Sequence, residues 1–130
     1  MTTRRRFFTS TLNLAAAVPG LAQAGWEYLG EANVDGASDH DKIKVGKDRG
    51  MFRAIRLRVE RAAIRFERVR INYSGGEKID IPVAALIQSG GQTRNIPVAG
   101  GRRAIDGVEF WYARASSSEA KPRVRLFGQH

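Results

Sequence analysis

The chain has 130 residues, 22 of them Lys or Arg and 13 Asp or Glu, a formal net charge of +9, and no cysteine. That length holds one domain with a modest core, and the lack of cysteine excludes disulfides and thiol chemistry. A basic balance of this size directs attention to anionic partners.

The first residues read as an address, outside the fold. Arg4, Arg5 and Arg6 are followed by a mostly apolar or small stretch from Phe7 to Ala24, closing on Ala22-Gln23-Ala24. A positive start, a short apolar run and a small-x-small end are the layout of an export signal. The run is too short to span a bilayer, and Pro19-Gly20 would break a buried helix. Thr3-Arg4-Arg5-Arg6-Phe7-Phe8 resembles the twin-arginine export pattern, departing from it at Thr9, where lysine is common. An ordinary secretory signal is the other reading. The division is therefore residues 1–24 as a cleavable signal and 25–130 as the domain. Removing three of the 22 basic residues leaves 19 against 13 acidic, a net of +6. Nothing after Ala24 is long and apolar enough for a transmembrane helix, so a soluble periplasmic or secreted protein is expected.

In chain order, Trp26 to Val34 reads as a first strand, with Trp26, Tyr28 and Leu29 as packing candidates. The polar loop Asp35 to Asp41 leads to a short strand "KIKV" and a turn at Lys47 to Gly50. After the stretch Leu57 to Ile71 come "KIDIPVAALI", "RNIPVA", "RAIDGVEFWYARA" and a closing "PRVRLFG", separated by Ser74-Gly75-Gly76, Ser89-Gly90-Gly91, Gly100-Gly101 and a serine run. Short β-rich runs at roughly 8–12 residue spacing, punctuated by glycine, predict a sandwich or barrel. Asp80-Ile81-Pro82-Val83-Ala84 recurs as Asn95-Ile96-Pro97-Val98-Ala99. Proline cannot donate to a sheet ladder, so both copies are expected at an edge or a bulge.

"LRVERAAIRFERVRI" supports two readings. As a helix, Ile55, Val59, Ala62, Phe66, Val69 and Tyr73 form an apolar stripe, but Leu57, Ile64 and Ile71 fall outside it. As strands, Ile55, Leu57 and Val59 alternate with Arg56, Arg58 and Glu60, and Val69, Ile71 and Tyr73 with Arg68, Arg70 and Asn72. The phase slips once, between Phe66 and Val69, where a β-bulge or short turn restores the inward face. Arg61-Ala62-Ala63 is a poor turn, yet the β-branched content and β-rich surroundings favour strands.

The pieces "YLG", "DKIKV", "IRLRV", "VRINY", the repeated "IPV", "GVEF" and "VRLFG" resemble the YaaI-like family of small exported bacterial proteins, a domain of unknown function. The likeness covers most of Tyr28 to Gly128. It implies an all-β exported domain and carries no activity and no functional residues.

For chemistry, the loop holding Asp35, Asp39, His40 and Asp41 offers hard donors, but its spacing fails the calcium-binding EF-hand template. The bland alternative is a solvated loop whose aspartates cap turns or pair with arginines. No G-x-S-x-G and no G-x-x-x-x-G-K-[ST] occurs, and the only histidines are His40 and His130, the latter expected to fray. No catalytic constellation is visible and no cofactor is implied.

The remaining signal is arginine. Arg56, Arg58, Arg68, Arg70, Arg123 and Arg125, projecting away from the core, would line an anion-binding face, since the guanidinium fork suits phosphate and carboxylate. Trp111 and Tyr112 beside Arg114 would add a stacking platform. The competing expectation is that Glu60, Glu67, Asp80 and Glu109 neutralise these arginines across strands, and that the aromatics are core.

The sequence thus predicts a single-domain β-sandwich of about eight short, mostly antiparallel strands acting without catalysis as a binding or interaction module. Its partners would be an anionic glycan, a lipid head group or an acidic protein, with no nucleic acid expected. The alternative is a small hydrolase or metal-dependent enzyme centred on Asp39, His40 and Asp41.

Overall fold

The structure, a computed structural model, describes residues 25–34, 39–114 and 120–130. The expected export signal, Asp35 and the serine run lie outside these residues. Nine strands are described: β1 (Trp26–Asn33), β2 (His40–Lys44), β3 (Met51–Phe52), β4 (Ala54–Glu60), β5 (Ile64–Tyr73), β6 (Lys78–Ile87), β7 (Ile96–Pro97), β8 (Arg103–Arg114) and β9 (Arg123–Gln129). One 3-10 turn spans Lys47–Arg49.

The strands form two antiparallel sheets. One has four strands in the order β1-β9-β4-β7; the other has five, in the order β2-β8-β5-β6 with β3 also paired to β8. The expected sandwich is therefore present. Between the sheets, Ile55, Leu57, Val59, Ile64, Phe66, Phe110 and Leu126 are fully buried and carry much of the core. Each such side chain contributes about 1.5–3 kcal/mol of apolar transfer.

Leu57 to Ile71 contains two strands, as the alternation predicts. The register of β5 against both its neighbours shifts between Phe66 and Arg68, which returns Val69 and Ile71 to the interior. What the alternation does not reveal is that β4 and β5 belong to different sheets. Arg61-Ala62-Ala63 makes a poor hairpin turn because it is a corner between layers. Arg61 adopts φ 79° there, a left-handed conformation that costs a non-glycine residue on the order of 1 kcal/mol.

Both prolines of the repeated motif lie on edge strands. Pro82 is in β6 and Pro97 in β7, each the outermost strand of its sheet. Beside Pro82, Ala84 has φ 49° where the β5–β6 register shifts, and Arg94 Nη2 donates to the Pro82 carbonyl at 3.0 Å. At the other edge, Asp41 of β2 accepts a hydrogen bond from the Tyr112 hydroxyl at 2.7 Å. Inward charge, proline and bulges are ways of blunting an exposed sheet edge.

His130 corrects the expectation of a frayed end. Its ring packs on Phe52 at 4.6 Å, its Nδ1 lies 3.1 Å from the Met51 carbonyl oxygen, and its Nε2 meets Glu27. Arg49 Nη2 donates to the same glutamate at 2.8 Å and to the Tyr28 carbonyl at 2.9 Å. These contacts tie the start of β1, the 3-10 turn and the last residue together.

Candidate anion-binding face

Because a strand alternates its side chains between faces, apolar positions in β4, β5 and β9 turn the intervening arginines outward. The corner at Arg61 then decides where they go. Arg56 and Arg58 emerge on the four-stranded sheet with Arg123 and Arg125; Arg68 and Arg70 emerge on the five-stranded sheet. The single arginine face expected from sequence is thus two faces, on opposite sides of the sandwich.

On the four-stranded sheet, β9 runs between β1 and β4. Arg125 stands opposite Arg58 on one side and Glu31 on the other, while Arg123 stands opposite Glu60 and Asn33. Two like charges directly across a strand pair are destabilising without counterions. Glu60 lies 3.4 Å from Arg125, 3.8 Å from Arg58 and 3.9 Å from Arg123. Glu31 lies 3.3 Å from Arg125 and 3.6 Å from Arg123. All these separations exceed the ordinary 2.7–2.9 Å of a charge-assisted hydrogen bond. Arg125 Nε, although buried and in ion-pair range of Glu31, makes no hydrogen bond.

Glu31 is instead held by Tyr28, whose hydroxyl donates to Oε1 at 2.7 Å. That hydrogen bond keeps the Glu31 carboxyl below its ordinary value against the opposing effect of burial, with Arg123 and Arg125 assisting. Below this charged block lies an aromatic one. Phe127 meets Tyr28 edge to face at 5.8 Å, and the Arg56 guanidinium lies 4.0 Å from the centre of the Trp26 ring. Of the three packing candidates in β1, Leu29 is buried in the core, whereas Trp26 and Tyr28 are only half-buried.

The five-stranded sheet treats its arginines differently. Asp80 accepts hydrogen bonds from Arg68 Nη1 at 2.7 Å and Arg70 Nε at 2.6 Å. Trp111 lies between His40 of β2, stacked at 4.3 Å and 14°, and Arg68 of β5, whose guanidinium is 3.7 Å from the ring centre. Side chains from both flanking strands therefore occupy the indole, and Tyr112 is buried, so these aromatics do not form the expected open platform. Nothing is described of the Arg114 side chain.

Expected neutralisation is thus divided. Asp80 pairs closely and Glu60 loosely, while among the described residues Glu67 forms no ion pair. Glu109 engages His40 Nε2 at 2.9 Å and Asn72 Nδ2 at 2.8 Å. The counterion missed by sequence reasoning is Glu31, which only the β1–β9 register brings to the arginines.

Burial pushes the Glu109 carboxyl up, but the hydrogen bonds from Asn72 and His40, together with the charges of His40 and Arg70, outweigh it and leave it lowered. A depressed folded value means that this contribution to stability is present above the ordinary 4.5 and is lost as pH falls through the folded value. Replacing Glu109 by Gln is therefore expected to lower Tm at pH 7, with the gap from wild type narrowing below pH 4.5. Parallel melting curves over that range check the sign; a gap that widens in acid would contradict it.

Among the described residues of the acidic loop, Asp39, His40 and Asp41 do not converge on one point. Neighbouring strand residues point to opposite faces, so His40 turns out to Glu109 while Asp41 turns to the Tyr112 hydroxyl. Asp39 is exposed, and its carbonyl accepts the Tyr112 N–H at 3.0 Å. Among the described residues, no group of three His, Cys, Asp or Glu side chains is placed to hold a metal ion, and no helix is long and apolar enough to cross a membrane.

Fold and surface together define a small all-β sandwich with one loosely compensated arginine face. The chain belongs to the family described as Domain of unknown function (DUF2541), which matches residues 7–128. Comparisons with curated proteins and with solved structures each return no match.

Proposed function

We propose that this domain is a non-catalytic binding module, exported to the periplasm or cell surface, which holds an anionic glycan or lipid head group on the outer face of its four-stranded sheet. The observation that carries the reading is Arg58 directly opposite Arg125, with Arg123 one pleat away and, among the described residues, Glu31 and Glu60 in loose attendance. Such a block keeps N–H donors for an incoming oxyanion. Export is supported by Arg4 to Arg6, the apolar run to Ala24 and the Ala22-Gln23-Ala24 end.

The test is retention on immobilised heparin. The domain beginning at Gly25 is expected to be retained and to elute as salt screens the contact. Arg58→Gln combined with Arg125→Gln should elute much earlier, whereas Arg68→Gln with Arg70→Gln, on the opposite sheet, should shift elution less. Elution of wild type at very low salt, or equal shifts for the two pairs, would sink this assignment.

A further inference from the structure

We propose that His130 is a proton-operated clasp at one end of the sandwich, closed while its ring is an imidazolium and released when the ring becomes neutral. This clasp stands apart from the arginine face and works whether or not that face binds an anion. Its Nε2 meets the Glu27 carboxylate of β1, and its Nδ1 lies 3.1 Å from the Met51 carbonyl oxygen of β3. A carbonyl oxygen and an ionised carboxylate only accept hydrogen bonds, whereas a neutral imidazole has one N–H and one lone pair. With the lone pair on Nδ1, it would face the Met51 oxygen; on Nε2, it would face the carboxylate. Both arrangements set lone pair against lone pair. Only the imidazolium, with an N–H on each nitrogen, donates in both directions.

The charged groups facing the ring are Glu27 and, across that carboxylate, Arg49 of the 3-10 turn, whose Nη2 is 2.8 Å from Oε2. From β3 come the Met51 carbonyl and the Phe52 ring, 4.6 Å from the imidazole. Hydrogen bonds from Arg49 and His130, helped by their charges, hold the Glu27 carboxyl below the ordinary 4.5 against the effect of burial. Glu27 therefore stays an acceptor through mild acid. Above that lowered value, and while the ring keeps its second proton, cation and carboxylate coexist and the clasp is shut. It opens as rising pH removes that proton, and again as strong acid protonates Glu27. Histidine is the side chain whose charge ordinarily changes between pH 5 and 8, and this one is 47% exposed, so solvent protons reach it. Opening has a defined place to act. Gly46 and Gly50, at φ 96° and 98°, flank the 3-10 turn, whose backbone hydrogen bonds are 3.2 and 3.4 Å long. A neutral ring leaves Arg49 still tied to β1 but removes one wall from the fully buried Phe52.

Nitrogen-15 NMR of the full-length chain between pH 5 and 8 reads ring charge and closure in one sample. Ring nitrogen shifts distinguish the imidazolium from the neutral tautomers, and proton–proton contacts between His130 and Phe52 report closure. Exchange of the Arg53 amide, which donates to the Gln129 carbonyl at 2.8 Å, reports order at the strand end. As the ring becomes neutral, its contacts with Phe52 are expected to fall away. Arg53 exchange, corrected for its intrinsic pH dependence, should rise roughly tenfold, the scale of one charge-assisted hydrogen bond. His130→Gln, which does not titrate in this range, should abolish the pH dependence. Glu27→Gln should leave a clasp that stays shut at neutral pH, because its amide can donate to Nε2 while Nδ1–H donates to Met51. Melting temperatures at pH 5.5 check that both variants are folded. Ring contacts and Arg53 exchange unchanged across the ring's titration would overturn the clasp. So would a ring away from Phe52 at pH 5, or the same pH dependence surviving in His130→Gln.

Discussion

Phe110→Ala is expected to lower Tm by about 15 °C or more. Phe110 is fully buried on β8, between the Phe66 ring at 5.8 Å and the Tyr112 ring at 5.6 Å. Its strand is hydrogen-bonded to β2, β3 and β5, so backbone shifts that would close the cavity are resisted from several sides. Truncating a buried phenylalanine costs about 3–5 kcal/mol, against a total of about 5–15 kcal/mol for an ordinary domain. A kilocalorie is worth roughly 4–8 °C at this size. Thermal unfolding followed by circular dichroism measures the change, and a drop of only a few degrees would show that the core refills around the gap.

The second large effect is expected at Gly128→Ala. A Cβ at this position would stand 2.6 Å from Phe52 Cδ1 and 2.8 Å from Leu29 Cδ1. Both neighbours are buried, and Phe52 also packs against His130. The ring is therefore confined between β9 and the terminal histidine. Overpacking of this kind typically costs about 1–3 kcal/mol, and this tight approach places Gly128→Ala near the upper end. Combining it with Phe52→Leu should recover part of the loss, because neighbouring substitutions that relieve one clash do not add. Strict additivity in denaturant melts would refute that contact as the cause.

Several features of the fold were legible because they depend on local alternation. The run "KIDIPVAALI" coincides with β6, and the slip near Glu67 appears as the register shift after Phe66. The two prolines marked edges because a missing N–H has the same consequence in any sheet. The second proline motif gave only the two-residue strand β7, since Pro97 and the Gly100-Gly101 turn leave little chain to pair.

The candidate site was less legible, for a geometric reason. Alternation distinguishes inward from outward positions but does not say from which layer a strand projects. Arg58 and Arg68 look equivalent in sequence, yet the corner between them sends them to opposite sides. Glu31 and Arg125 are distant in sequence and meet only because β1 and β9 pair. His130 was undervalued for the same reason: its contacts with Glu27, Met51 and Phe52 are all long-range.

That pairing of β1 with β9 also governs the order in which the molecule can be completed. The last strand lies in the middle of the four-stranded sheet, between β1 and β4. While the chain is being synthesised, β1 and β4 wait on either side of a vacant lane until Arg123 to Gln129 emerge. Closure of this sheet thus waits for its most distant pairings, which favour slow folding over fast. A chain cut before Arg123, the first residue of β9, loses the middle of a sheet, and no rearrangement of one end would make good the defect.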